Sequence, residues 1–164
     1  MNTDQTLLDE IEKLAKKYFT QKSIVLSRDK SKITLAIPKA SEHGFDVGAT
    51  IETYGIYPLA GAWHGAPWEP MNDWPVEQVC KDFFGLVRML MSEDAQLRYT
   101  YRHGKLRKVS VYLRNKNGWQ LFEEVGFFVL PFGCRREEVH QNNHMSSRYP
   151  FNNLESNTWG VYYW

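Results

Sequence analysis

At 164 residues, with 43% hydrophobic and 15% aromatic content, the chain suffices for one domain with a full core and is too apolar to stay disordered. Its formal charge of +1 conceals two oppositely charged segments. No apolar run approaches the roughly 18 residues of a membrane span; the start Met1-Asn2-Thr3-Asp4 lacks the basic and apolar regions of a signal peptide; and two cysteines, Cys80 and Cys134, are fewer than an oxidised domain of this size carries. A cytoplasmic protein with two reduced, buried thiols is expected.

Leu7, Leu8, Ile11, Leu14, Ala15, Tyr18 and Phe19 recur at helical spacing, with Thr3 or Asp4 as cap, Asp9, Glu10 and Glu12 in the early turns and Lys16 and Lys17 at the end. Ser23–Ser27 and Ile33–Ile37 read as a strand pair around the turn 28–32, and Pro38 closes the second strand. Gly55, Pro58 and Gly61 divide Phe45–Trp63 into two short strands. A stiff loop with Pro67 and Pro70 then leads to a helix marked by Asp73 and Pro75, whose stripe is Val76, Val79, Phe83, Leu86, Val87, Leu90 and Met91. An antiparallel meander follows. Leu97, Tyr99 and Tyr101 alternate with Arg98, Thr100 and Arg102, and Val109, Val111 and Leu113 alternate with Lys108, Ser110 and Tyr112. The turns are His103-Gly104-Lys105 and Lys116-Asn117-Gly118. Trp119–Val125 is a third strand and Phe127–Phe132 a fourth; 135–145 reads as a short polar helix, 146–157 as loop and Trp159–Trp164 as a final strand. The expected fold is α+β, a mainly antiparallel meander packed with an N-terminal and a central amphipathic helix, in a single domain over 1–164.

No motif spells out a reaction: there is no Gly-rich phosphate loop and no Gly-x-Ser-x-Gly elbow. His140 and His144 share a face if 135–145 is helical, and with His64 they have the residue types of an open zinc site, yet no ligand-spaced carboxylate accompanies them. Neither a metal nor a cofactor is expected. Cys80 sits by an apolar helix stripe, as a structural thiol does, while Cys134 precedes Arg135 and Arg136.

Charge is the informative pattern. Residues 40–80 hold Glu42, Asp46, Glu52, Glu69, Asp73 and Glu77 with no Lys or Arg; residues 95–122 hold seven cations and no acid. Trp63, His64, Trp68 and Trp74 gather around Glu69 and Asp73. An acid-ringed aromatic group suits the centre of an interface with a basic protein. Arg98, Arg102, Lys105, Arg107, Lys108 and Arg114 interleave with Tyr99, Tyr101, Tyr112 and Trp119, the residue types that hold single-stranded nucleic acid. Strand parity sets Tyr99 and Tyr101 opposite the arginines, which favours a solvated face there.

The layout, with a strand ending in Trp63-His64, an aromatic–acidic loop, a helix over Val76–Met91 and a meander over Leu97–Arg102, Leu106–Arg114 and Trp119–Val125, resembles bacterial immunity proteins of the polymorphic-toxin and contact-dependent-inhibition type over about residues 45–130. The resemblance implies a small cytosolic, non-enzymatic protein that binds a toxin domain and blocks it. The contacts expected are Trp63, His64, Trp68, Glu69, Asp73 and Trp74. Binding of single-stranded nucleic acid by the hairpin 96–116 is the alternative, and a metal-dependent enzyme using His64, His140 and His144 stands third.

Overall fold

The structure, a computed structural model, describes residues 3–18, 25–70, 75–126 and 133–143, apart from the side chains of 3–7, 15, 17 and 18. Two helices pack with two antiparallel sheets, as the α+β expectation requires. The first sheet is a sequential meander of β1 (Val25–Arg28), β2 (Lys32–Ile37), β3 (Val47–Glu52), β4 (Ile56–Ala60) and β5 (Trp63–His64). Helix α1 (Thr3–Tyr18) precedes it, and α2 (Val76–Leu90) separates it from the second sheet. That sheet has β6 (Ala95–Arg102) and β7 (Lys105–Asn115) at its centre, with β8 (Gly118–Gly126) beside β7 and β9 (Arg135–Gln141) beside β6.

The hydrophobic periods decide which faces are buried. In β2, Ile33, Leu35 and Ile37 are buried while Lys32, Thr34 and Ala36 are exposed. In α2 the expected stripe is buried at Val79, Phe83, Leu86, Val87 and Leu90, and Cys80 and Phe84 widen it. Pro75 occupies the N-cap with extended backbone, suited to a residue that has no N–H to give. In α1, Leu8 and Ile11 face the core, and Arg28 of β1 pairs with Asp9 (2.9 Å) and Glu12, tying strand to helix. Buried residues of both helices and both sheets form one hydrophobic cluster.

The second sheet follows the expected parity. Leu97 faces Val111 and Tyr99 faces Val109 on the core side, while Arg98 and Ser110 pair on the other. The turn after β7 has its positive φ at Gly118 (+106°), and Asn115 Oδ1 accepts the Asn117 N–H at 2.8 Å.

Residues 135–141 correct the expectation of a polar helix over 135–145: they are strand β9, paired antiparallel along β6 from Gln96↔Gln141 to Arg102↔Arg135. Their local preference is weak, and the open edge of β6 supplies a ladder of backbone hydrogen bonds that outweighs it. Alternation then sorts the side chains: Glu138 and His140 share a face with Tyr99 and Leu97, and Glu137 and Val139 take the outer side. The strands expected at 23–24, 127–132 and 159–164, and the loop at 146–157, lie outside the described residues.

Polar contacts bind the sheets to each other. Asn142, 1% exposed just past β9, accepts the Phe45 N–H through Oδ1 (3.0 Å) and donates through Nδ2 to Phe45 O (2.9 Å) and Leu90 O (3.0 Å). The Tyr99 hydroxyl accepts the Ala62 N–H at 3.4 Å beneath a turn in which Gly61 has φ +54°; a Cβ there would strike that hydroxyl. Glu123 Oε1 on β8 accepts the Ala66 N–H at 3.1 Å.

Replacing Asn142 with Leu keeps the volume and strands three buried backbone groups, each costing about 1–3 kcal/mol when unpaired. Asn142→Leu is expected to lower the unfolding free energy in urea by about 3 kcal/mol or more. A loss below about 1 kcal/mol would show that water replaces the carboxamide.

Candidate functional site

The end of the β3–β4 hairpin carries the most exposed aromatic group of the first sheet. Residues 53–55 form the turn, so Tyr54 has no neighbouring strand to cover it and is 59% exposed. Its ring meets Tyr57 edge-on, with centroids 6.5 Å apart and planes at 88°. Its hydroxyl is bonded to the Glu52 carboxylate, which holds the phenol's pKa up at about 12. Glu69 lies beside the turn: a Cβ on Gly55 would come within 3.3 Å of the Glu69 side chain, which would have to give way by a few tenths of an ångström. The backbone beneath is fixed by reciprocal Ile56–Trp68 hydrogen bonds of 3.0 and 2.8 Å. Two tyrosine rings thus meet at a turn that also carries the Glu52 carboxylate and the Glu69 side chain and is braced from below.

This group continues onto the outer face of the first sheet. Tyr57 lies opposite Thr50, and Leu59 lies between Gly48 and His64. Among the sequence-expected contacts, His64 and Glu69 are exposed. Trp63 and Trp68 are corrections, because both are core residues. Trp63 is opposite Ala60 on the inward side of β5, fully buried, with its ring against Phe122 and lying over Gly65. Its indole N–H finds no partner among the described residues. Trp68 packs edge-on against Phe83 of α2. The size of these rings drew them into the core, where each buries more apolar area than any neighbour. Asp73 and Trp74 lie outside the described residues. Tyr54 and Tyr57 were missed as site residues; the signal was Tyr54-Gly55 at a turn between two alternating runs, where an aromatic side chain has nothing to cover it.

The basic residues of the second sheet divide by face. Arg98 and Arg114 point away from the core, Arg98 with its guanidinium 4.0 Å from the Tyr112 ring centre and Arg114 6.0 Å from that of Trp119. Lys108 pairs with Glu124 at 3.0 Å. Lys105 is at the exposed β6–β7 turn, and Arg102 and Arg107 are half-buried. On β9, Arg135 pairs with Glu137 and Arg136 with Glu138.

Of the histidines in the third reading, His64 and His140 lie on different sheets. His64 lies on the first sheet's outer face; His140 lies under the second, its ring 4.9 Å from that of Tyr99 and Nε2 3.7 Å from Glu138; His144 is outside the described residues. Among the described residues, no three His, Cys, Asp or Glu side chains are grouped to hold a metal ion. A hollow of about 260 Å³ is lined by Tyr101, His103, Gly104, Cys134, Arg135, Arg136 and Glu138, below the usual size of a ligand pocket. Another, of about 430 Å³, is bounded only by Asp9, Glu12, Lys13 and Lys16 of α1. Cys134 is exposed, unlike the buried thiol expected there; Cys80 is buried, and desolvation, with the Glu10 charge second, raises its pKa to about 12. Burial likewise raises the Glu123 carboxyl, against the Ala66 N–H that favours its ionised form. No helix among the described residues is long and apolar enough to cross a membrane.

Set against protein-family models, curated proteins and solved structures, the chain matches none.

Two measurements check this geometry. In an alkaline absorbance titration, the difference between wild type and Tyr54→Phe is expected to isolate one phenol ionising near pH 12; Glu52→Gln should return it toward the ordinary value near 10. The neutral phenol is the form the fold favours, so this contribution to stability is complete below about pH 10 and is lost as pH rises through 12. A difference curve centred at 10 in the wild type would remove the Glu52 bond. In iodoacetamide labelling of the native protein, one adduct is expected, on Cys134, with Cys80 reacting only after denaturation. Equal labelling of both would show that the α2 face opens.

Proposed function

We propose that the chain is a non-enzymatic protein-binding module that neutralises a partner by covering it, in the manner of an immunity protein facing a toxin domain. The observation that carries this reading is the edge-on pair of exposed Tyr54 and half-buried Tyr57 at the β3–β4 turn, with Glu52 bonded to Tyr54 and exposed Glu69 beside Gly55. Tyrosine gives a contact large apolar area at little entropic cost, because the ring has few rotatable bonds and this one is already braced. The Glu52 and Glu69 carboxylates near the pair select a partner presenting Lys or Arg and speed its capture. The contact surface combines Glu52, Tyr54, Tyr57, His64 and Glu69; the buried Trp63 and Trp68 act as its foundation. Occlusion requires no reacting group, only a stiff surface of matching shape and charge. The setting that goes with this role is the bacterial cytoplasm, where a delivered toxin domain would be met.

The test is a calorimetric titration against a panel of bacterial toxin domains, including any encoded beside the gene, with toxin activity read in parallel. A one-to-one complex with loss of toxin activity is expected. Glu52→Lys with Glu69→Lys should weaken it by about tenfold or more, and Tyr54→Ala by a similar factor. A complex indifferent to all three substitutions would move the interface elsewhere; the lack of any complex or inhibition would end the reading.

A further inference from the structure

The outer face of the second sheet offers different chemistry. Its carboxylates are already matched within the sheet: Glu124 by Lys108 and the Ser110 hydroxyl, and Glu137 by Arg135. Arg98 and Arg114 are set differently, each against an aromatic ring. Arg98 Nη2 also meets Gln96 Oε1 at 3.4 Å, and Arg114 feels the Asp94 charge at the sheet's end. The arrangement also removes the parity objection to this face. Tyr99 turns inward, but Tyr112 and Trp119 emerge on the same side as the arginines, because Tyr112 pairs with Gln96 and Leu121, and Trp119 with Arg114. Leu121 and Val139, both about half exposed, extend the apolar part of the face.

We propose that this face binds single-stranded nucleic acid, with Arg98–Tyr112 and Arg114–Trp119 as two stacking positions. Trp119 sits one same-face step along β8 from Leu121, the neighbour of Tyr112, so the two residues are diagonal neighbours whose backbone positions in a regular ladder are about 7–8 Å apart. That spacing lets two successive unstacked bases each meet a ring, and a guanidinium against each ring can turn toward the phosphate between them. Lys105 and Lys116, exposed at opposite ends of β7, extend the positive track in both directions. An acidic peptide would satisfy the arginines but does not present a base with every backbone charge as a single strand does, so charge and stacking together favour nucleotides.

The test is fluorescence anisotropy with a labelled twenty-nucleotide oligo(U), an oligo(dT) and a duplex, with polyglutamate as competitor. Binding to the single strands is expected in 50 mM salt, weakening about five- to tenfold by 200 mM, as two phosphate contacts imply. Trp119→Ala should cost about tenfold through lost stacking. Arg98→Gln with Arg114→Gln should flatten the salt dependence, and an unchanged melting curve shows that these variants fold. Glu52→Lys with Glu69→Lys should leave oligo(U) binding intact, which separates this surface from the protein-binding one. Absence of binding at 50 mM salt overturns the proposal. So does binding that polyglutamate displaces equally well and Trp119→Ala does not change, since that is charge attraction to a surface fit for an acidic protein.

Discussion

One buried carboxamide fixes how the two sheets meet. Asn142 sits where β9 ends, and its three hydrogen bonds reach the segment leading into β3 and the last turn of α2. It therefore joins the last described strand, the first sheet and the central helix at a single point. Gly44 is part of the same constraint, because a Cβ at that position would lie 2.5 Å from Asn142 Oδ1. Beside it, the Gln141 N–H donates to His43 O at 3.0 Å, so the β9 backbone is tied down as well. A carboxamide that satisfies its donor and acceptor sites in a dry interior specifies one geometry, since any slip of β9 along β6 leaves both it and the backbone groups unpaired. The faces on either side owe their fixed relation to that register.

Most of the fold was legible because period and punctuation agreed. The α2 stripe, the hairpin at Gly55, and the inward Leu97, Tyr99, Val109 and Val111 all follow from apolar spacing bounded by Gly or Pro. Residues 135–141 were not legible, since Arg-Arg-Glu-Glu-Val-His-Gln has little preference of its own and becomes a strand only because β6 has an open edge, a tertiary fact. The tryptophans failed for a different reason. The sequence grouped Trp63 and Trp68 with Glu69 but did not show that they turn inward; position on the inward side of β5 took Trp63, and the bridge to Ile56 took Trp68. Tyr54 stayed outside because it occupies the turn itself. His64 and Glu69 were legible as exposed polar residues at the ends of short elements.

The segregated charge of the sequence is reorganised by topology. The acidic stretch forms the last three strands of the first sheet and the approach to α2, and the basic stretch forms the middle of the second sheet. The strands on either side of that basic hairpin bring carboxylates that its own sequence lacks: Glu124 reaches Lys108 from β8, while Glu137 and Glu138 reach Arg135 and Arg136 within β9. Of the seven cations counted along the chain, Lys108 is therefore already matched by a carboxylate. What distinguishes Arg98 and Arg114 is that their neighbours are rings, which attract a guanidinium without cancelling its charge. The Glu52 and Glu69 edge keeps its negative character in a similar way, because the group beside each is a neutral phenol or a glycine backbone.

A β-sheet face suits both roles for one reason. Its side chains are held two residues apart along each strand and one strand spacing across, so a set of contacts is in place before the partner arrives. The entropy that a loop would lose on binding has already been lost in folding, which leaves more of each contact's energy for affinity. Tyr54 is the informative exception, since it lies on a turn. Its order comes from the Glu52 bond, the edge-on contact with Tyr57 and the backbone bridge between Ile56 and Trp68 below. Those three restraints hold the ring where no ladder of backbone hydrogen bonds does. Moving Trp68 to the surface to enlarge the aromatic patch would remove the bridge and loosen the tyrosine that makes the patch useful.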